Sequence, residues 1–327
     1  MSSASRAAMC KVAAMTIPDP QLTIQPLNFS AQAPANWQKL IDTAKAADEA
    51  GVDRIILSDH VVFGENLDGY GDPKRGGTAG GKQPTGPDGH WLEPLTTLAF
   101  LAGQTSRVRL GTAVLLAALR RPAVLAKSAA TLDVLSEGRL DLGVGVGWQA
   151  EEYEAAGLDF DNRGRMLDHT LDVCQELWTN DRASYSSDEL SFDGIYANPK
   201  PLQPGGVPIW VSGTVNPRAM KRLATFGTGW IPWGPAVADP LTGIAEMRAA
   251  VASHGRDPAD IQATCYIPVV SGENGDVDLD ATMSAVPALR EAGMTDFKIT
   301  LRLPEDRSAM TENLAAAVSA FNAVFSR

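Results

Sequence analysis

His60 is the sharpest candidate for chemistry in this chain. It is one of four histidines and follows the apolar run Ile55-Ile-Leu57. Imidazole titrates near neutral pH, so a histidine placed there can give or take a proton. Asp59 beside it can orient a neighbour or accept a bond from a ligand ring. A strand-end histidine capped by local backbone fits the same position equally well. Gly143-Val-Gly-Val-Gly147 invites a dinucleotide reading, but G-x-G-x-x-G needs glycine where Trp148 stands. The three glycines alternate, so in a strand they share one face, opposite Val144 and Val146. A bare row of that kind lets a backbone or a flat ligand approach closely. Helix packing accounts for Gly143 and Gly145, and Gly147 at the strand end is the expected ligand contact. Ser212-Gly-Thr214 sits between a strand and a helix, where free N–H groups suit a phosphate. Lys298, Thr300 and Arg302 alternate with Phe297, Ile299 and Leu301. That face would put Arg302 at a barrel mouth as an anion site, and a buried ion pair would use the same residues as well.

Other tempting residues read as structural. Cys174 shares an amphipathic stretch with His169, Leu167, Leu171 and Trp178. His254 ends a helix, where positive charge suits the dipole. Met220 and Met247 fall on helices and pack. No H-E-x-x-H, P-loop, G-x-S-x-G or paired-cysteine motif occurs, which leaves metalloprotease, NTPase and serine-hydrolase chemistry unsupported and no metal expected.

The elements that must position these residues alternate. Strands are expected at 22–27, 54–57, 108–115, 140–147, 209–211, 229–231, 261–270 and 297–303. Helices are expected at 37–50, 94–104, 122–135, 164–178, 217–226, 241–254, 281–292 and 310–325. Gly51 and Gly138 stand where left-handed helix ends belong. A Gly/Pro/Asp-rich loop fills 64–90, and 183–199 reads as a hairpin excursion. Loops as long as the first are usually functional or disordered. Strict alternation means parallel strands with right-handed crossovers. Eight units predict a single (β/α)8 TIM barrel with insertion loops, over 21–327, after an N-terminal extension at 1–20. A doubly wound open sheet competes, but no linker or composition break marks the second domain it would need. In a barrel the active site lies at the C-terminal ends of the strands. That rule singles out Asp59, His60, Ala113, Val114, Gly147, Trp148, Ser212, Gly213, Trp233 and Arg302.

Composition narrows the partners. Of 327 residues, 44% are hydrophobic and 20% charged, which suits a globular chain. The net charge of −11 leaves no basic excess to displace counterions, so nucleic acid and anionic membranes are not expected partners. Cys10, Cys174 and Cys265 are odd in number and far apart, which suggests a reducing compartment. No run approaches the roughly 18 apolar residues of a membrane span. The first residues lack the apolar core of a secretory signal. A cytoplasmic protein with a small-molecule substrate is expected.

Several segments together match a known family. These are Gly51-Val-Asp-Arg-Ile-Ile-Leu-Ser-Asp-His60, Trp91-Leu-Glu-Pro94, Arg109-Leu-Gly-Thr-Ala-Val114 and Arg121-Pro-Ala-Val-Leu-Ala-Lys127. Thr131-Leu-Asp-Val-Leu-Ser-Glu-Gly-Arg139, Gly143 to Trp148 with Glu152, Pro208-Ile-Trp-Val-Ser-Gly213 and Gly229-Trp230 follow in order. The chain resembles the luciferase-like monooxygenase superfamily, and within it the oxidoreductases that use the deazaflavin coenzyme F420. The resemblance implies a barrel with the deazaflavin at its C-terminal mouth and hydride transfer to or from a small organic substrate. It places Asp59 and His60 beside the ring and makes His60 the proton donor or base. It puts a non-proline cis peptide at Ala113–Val114 behind the ring. Gly147 and Trp148 to Glu152 would line the ring and its phosphoryl-lactyl tail, and Ser212, Gly213 and Thr214 would take the phosphate. Phe63, Trp148, Trp233 and the 64–90 loop would form the substrate pocket, with Arg302 at its edge. Arg120, Arg121 and Lys200 are candidates to offset the anionic tail. Sugar-phosphate dehydrogenases of this group carry Glu where this chain has Trp148, and Trp where it has Gly64, which argues against a sugar phosphate. An FMN-dependent two-component monooxygenase and a non-catalytic flavin-binding barrel are the alternatives. Related barrels are often dimers, so a homodimer is an expectation too.

Overall fold

The computed structural model describes residues 19–272 and 275–325. Cys10 and nearly all of the expected 1–20 extension lie outside the described residues. The barrel strands are β1 (Gln21–Ile24), β2 (Arg54–Leu57), β3 (Arg109–Thr112), β4 (Leu140–Val144), β5 (Ile209–Gly213), β6 (Gly229–Pro232), β7 (Gln262–Tyr266) and β8 (Asp296–Lys298). Each pairs in parallel with its sequence neighbours, and β8 returns to β1, so the sheet closes as a TIM barrel. Outside it stand α1 (Gln38–Ala50), α2 (Pro94–Ala102), α3 (Pro122–Leu135), α4 (Ala150–Ala155), α5 (Arg163–Thr179), α6 (Pro217–Phe226), α7 (Pro235–Ala238), α8 (Pro240–Ser253), α9 (Leu279–Met283), α10 (Val286–Ala292) and α11 (Arg307–Ala323). None is long and apolar enough to cross a membrane.

The strands are shorter than the apolar runs suggest. Those at 22–27, 108–115, 140–147, 261–270 and 297–303 all leave the ladder early, and residues beyond the ends of the first three and the last line the mouth of the barrel. The 281–292 segment breaks at Ser284 and Ala285 into α9 and α10. Gly51 does end α1 in the left-handed region, at φ 90°. The hairpin forms from Ala183–Ser186 and Ser191–Ile195. A small antiparallel pair, Phe29–Ser30 with His90–Trp91, was not expected; it staples the start of the chain to the end of the long loop.

The floor of the barrel carries charge as well as apolar packing. Arg54 on β2 donates to Asp141 on β4 at 2.9 Å, to Gln21 on β1 at 2.7 Å and to Asp296 on β8. Its guanidinium lies 4.5 Å from the centre of the Trp210 ring. Arg109 on β3 adds two 2.7 Å bonds to Asp141. One arginine thus reaches three other strands across the axis and helps fix their register. Burial alone would push the Asp141 carboxyl up; Arg54 and Arg109 outweigh it and hold the group below its ordinary value. Asp296 differs, because burial outweighs Arg54 and the Thr23 and Thr264 hydroxyls and pushes it up.

Asp141→Asn leaves both guanidiniums short of countercharge, so unfolding in urea should show a loss of about 3–5 kcal/mol. The Asp141 contribution is present above the unfolded value of 3.8 and is lost as acid protonates the folded carboxylate. The deficit should therefore narrow as the pH is lowered below that value; a deficit constant with pH would rule out the ion pair as its source.

Candidate active site

A cavity of about 360 Å³ opens at the C-terminal ends of the strands. Its floor is set by β3 and β4. The Ala113–Val114 peptide is cis, and the chain after β3 lies close against β4, with the Leu115 N–H donating to the Gly143 carbonyl at 2.7 Å. A Cβ on Gly143 would lie 1.8 Å from the Thr112 carbonyl oxygen, and one on Gly145 would lie 2.6 Å from Val114 Cγ2. Close approach by the β3 chain, not helix packing, is what these glycines accommodate. The expected alternation stops at Val144, where β4 ends, and Val146 lines the cavity beside Gly145 and Gly147. Gly147 adopts φ 70°, a turn suited to glycine, and carries the chain into Trp148.

His60 stands in the wall with its Nδ1 3.2 Å from Glu152 Oε2. Glu152 is buried on α4 and its second oxygen accepts from the Val61 N–H at 2.8 Å. The carboxylate fixes the ring and leaves Nε2 as the nitrogen for the cavity. Phe63 lies against His60 with centroids 4.4 Å apart, and Trp91 meets it edge-on at 4.8 Å. Asp59 also lines the cavity and is held on both oxygens. Both its oxygens take Arg120, at 2.5 and 3.0 Å, and one also accepts from the Leu116 N–H at 2.9 Å. Arg120 binds Glu93 as well, at 2.9 Å. Burial alone would lower the Arg120 pKa; Asp59 and Glu93 outweigh it and raise it. The network locks the β2 end to the bulge after β3.

The long loop forms the roof. Trp233 Nε1 donates to the Gly76 and Gly77 carbonyls at 3.0 and 3.1 Å, and Arg163 donates to the Arg75 carbonyl at 3.2 Å. Tyr70 of the loop packs edge-on against Trp148 and Trp233. Gln83 also reaches the cavity, and its amide nitrogen is buried without a partner.

The cavity therefore brings together Asp59, His60, Ala113, Val114, Gly147, Trp148, Ser212, Gly213 and Trp233. Four expected residues fall elsewhere. Glu152 and Phe63 stand behind His60 because α4 and the loop after β2 place them outside the wall. Thr214 turns away and accepts from the Asn216 amide at 2.9 Å. Arg302 is exposed and lines a neighbouring cavity, because β8 ends at Lys298 and its alternation does not extend that far. The start of α6 is also less open to phosphate than expected: Asn216 Oδ1 takes the Arg218 and Ala219 N–H groups, and Pro217 has none. Arg120 is committed to Asp59, and Lys200 donates to the Leu177 and Asn180 carbonyls. Neither is available to an anionic tail, whereas Arg121 is exposed at the start of α3.

Tyr70 joins the wall from the loop expected there, and Gln25, Trp91, Tyr266 and Thr300 join it without having been expected. The strand-end rule reaches Gln25 and Tyr266, which follow or close β1 and β7. Lys298 lies between them, donating to Gln25 and to the Tyr266 hydroxyl, the latter at 3.2 Å. The arrangement offers a flat backbone floor, aromatic walls and one carboxylate-held imidazole.

Comparison with known proteins agrees with this geometry. The luciferase-like monooxygenase model matches residues 22–307. An uncharacterized protein of Mycobacterium tuberculosis is 32% identical over 232 residues, 70% of this chain and 77% of that protein. The F420-dependent glucose-6-phosphate dehydrogenase of Kineococcus radiotolerans is 30% identical over 272 residues, 80% of this chain and 74% of that enzyme. Among solved structures, an F420-dependent secondary alcohol dehydrogenase with an F420–acetone adduct superposes with a TM-score of 0.71 at 17% identity, covering 93% of this chain and 99% of that one. Both the matched span and the barrel beneath it lead to one statement: the chain belongs to the luciferase-like monooxygenase family.

Proposed function

We propose that this chain is an oxidoreductase that transfers a hydride between coenzyme F420 and a small organic substrate, with His60 giving or taking the accompanying proton. The observation that carries the reading is the His60–Glu152 pair beside a floor kept flat by glycine. The residues fit a tricyclic ring. The cavity is within the ordinary range of small-molecule sites, about 300–1,000 Å³. Gly145 keeps a side chain out of the cavity, Gly143 admits the β3 chain beside it, and the Gln83 amide, unpartnered among the described residues, can donate to a polar ring edge. Ala113, Val114, Gly147 and Trp148 would hold the ring, with Asp59 setting the bulge through Arg120 and Leu116. Ser212 and Gly213 remain the candidates for the tail phosphate.

When bound, the deazaflavin supplies a two-electron hydride donor or acceptor. The chain does the rest. Trp148, Trp91 and Trp233 with the loop roof exclude water and confine the acceptor over the ring. Glu152 orients the imidazole, and Nε2 holds the proton that leaves or joins the substrate oxygen. The 30% identity to an F420-dependent enzyme favours deazaflavin over FMN. Trp148 and Gly64, in place of the Glu and Trp of sugar-phosphate dehydrogenases, favour a substrate other than a sugar phosphate.

Titration with reduced F420 and with reduced FMN tests the cofactor. Tight binding of F420 is expected; tight FMN binding with oxygen-dependent product formation would establish the two-component monooxygenase instead. His60→Ala should lower kcat by about 10²–10⁴ while F420 affinity stays within a few-fold. Undiminished turnover would remove the proton-transfer assignment. Glu152→Gln tests positioning. An amide has one acceptor oxygen, so with that oxygen on the Val61 N–H the amide nitrogen can only donate to Nδ1, which puts the ring proton on Nε2 and removes the negative charge beside the imidazole. A fall of about tenfold in kcat with little change in F420 affinity is expected; an equal fall in both would mean the carboxylate serves only the fold.

A further inference from the structure

A second cavity of about 400 Å³ adjoins the mouth. The segments that follow β1 and β8 form its sides, and the first turn of α1 with α11 closes it. Ile24, Leu40, Ile299 and Leu314 make a buried apolar floor, and Trp37 and Leu303 flank it. Two cations stand at the rim. Lys39 is paired with Glu305. Arg302 is exposed and has no ion-pair partner among the described residues. Gln25, Leu27, Phe29 and Thr300 belong to the walls of both cavities.

The two cavities adjoin along the lining that these four residues share. Gln25 is fixed from two directions, donating to Ser58 Oγ at 2.6 Å and accepting from Lys298. Phe29 stacks on Trp91 at 4.2 Å, and Trp91 in turn touches His60. The second cavity is therefore two aromatic rings from the imidazole. Its volume is that of a ligand pocket rather than of a packing defect. Its apolar floor suits hydrocarbon, and burying each methylene contributes about 0.8 kcal/mol. Of the two cations at this rim, Arg302 is the one with no ion pair among the described residues, so it is open to an anionic group. Guanidinium geometry suits a carboxylate held by two parallel bonds.

We infer that this chamber receives the hydrocarbon part of the substrate and that Arg302 binds a terminal carboxylate. The substrate class is an aliphatic oxo or hydroxy acid, with its reacting carbon in the mouth and its carboxylate at the far rim. This rests on reading the mouth as the place of hydride transfer. In the reducing direction a C–H bond forms at the carbonyl carbon, the π pair of C=O takes the proton held at His60, and the reduced deazaflavin is the two-electron reductant. In the oxidising direction the same bonds break and the proton returns to His60.

Calorimetric titration with decanoate, methyl decanoate and decylamine, in the full chain, tests the chamber without needing turnover. Decanoate should bind most tightly. Arg302→Ala should weaken decanoate about tenfold or more and leave methyl decanoate unchanged, and Arg302→Lys should restore part of the loss. Ser30→Trp, at the chamber wall away from Arg302, should weaken both ligands. Decanoate affinity insensitive to Arg302→Ala and to Ser30→Trp would overturn the proposal, as would absence of binding. F420 binding is followed separately through its own fluorescence. Decanoate binding with the expected variant pattern, but without F420 binding, supports the chamber and overturns only the cofactor reading.

Discussion

The close approach of β3 and β4 is the constraint on which the site depends. Thr112 and the bulge after it occupy the space that side chains on Gly143 and Gly145 would need. Three hydrogen bonds hold the approach: Leu115 N–H to the Gly143 carbonyl at 2.7 Å, Gly145 N–H to the Leu115 carbonyl at 3.1 Å, and the Thr112 hydroxyl to the Gly143 carbonyl at 2.7 Å. Bare backbone on one strand and a bulge on its neighbour are two sides of one packing solution. Together they leave the β3–β4 side of the mouth lined by backbone and small residues.

Charge is divided between the two ends of the barrel. At the strand starts, Arg54, Arg109, Asp141 and Asp296 satisfy one another in the interior and tie the strands together. At the strand ends, the Asp59–Arg120–Glu93 network fixes the bulge, and Glu152 fixes His60. Both sets are protein-to-protein interactions. Strong charges near the mouth are thus spent on geometry, and His60 itself is held by one of them, Glu152. The total of −11 says little about this, because the sign that matters is that of individual groups left uncommitted at each rim.

Much of the architecture is legible in the chain. Eight alternating units, with Gly51 marking the end of α1, identify the barrel, and the strand-end rule brings His60, Trp148, Ser212 and Trp233 to one mouth. The glycine row signals a close approach, though not which neighbour makes it. What is hidden depends on contacts distant in sequence. Glu152 reaches His60 across 92 positions through a six-residue helix with no strong periodicity. The loop at 64–90 becomes a roof through backbone carbonyls taken by Trp233 and Arg163, and carbonyls carry no sequence signature. Arg302 is misplaced by alternation for a physical reason. The two-residue period is enforced by ladder hydrogen bonds, and those stop at Lys298.

The positions of the two cavities follow from barrel closure. The proposed chemistry lies beside β2, β3 and β4, where the close glycines and the Asp59 network tie neighbouring strands together. The seam between β1 and β8 is different. There the ladder pairs three residues of each strand, and the segments beyond it are bounded by α1 and α11 rather than by another strand. Side chains at that seam, such as Leu27, Trp37, Leu303 and Arg302, can change without disturbing the floor. Gln25 and Phe29 link the regions, since each packs against the fixed site on one side and the seam on the other. On the proposed reading, the residues beside His60 and those that would grip the rest of a substrate are different sets, joined at the lining that the two cavities share.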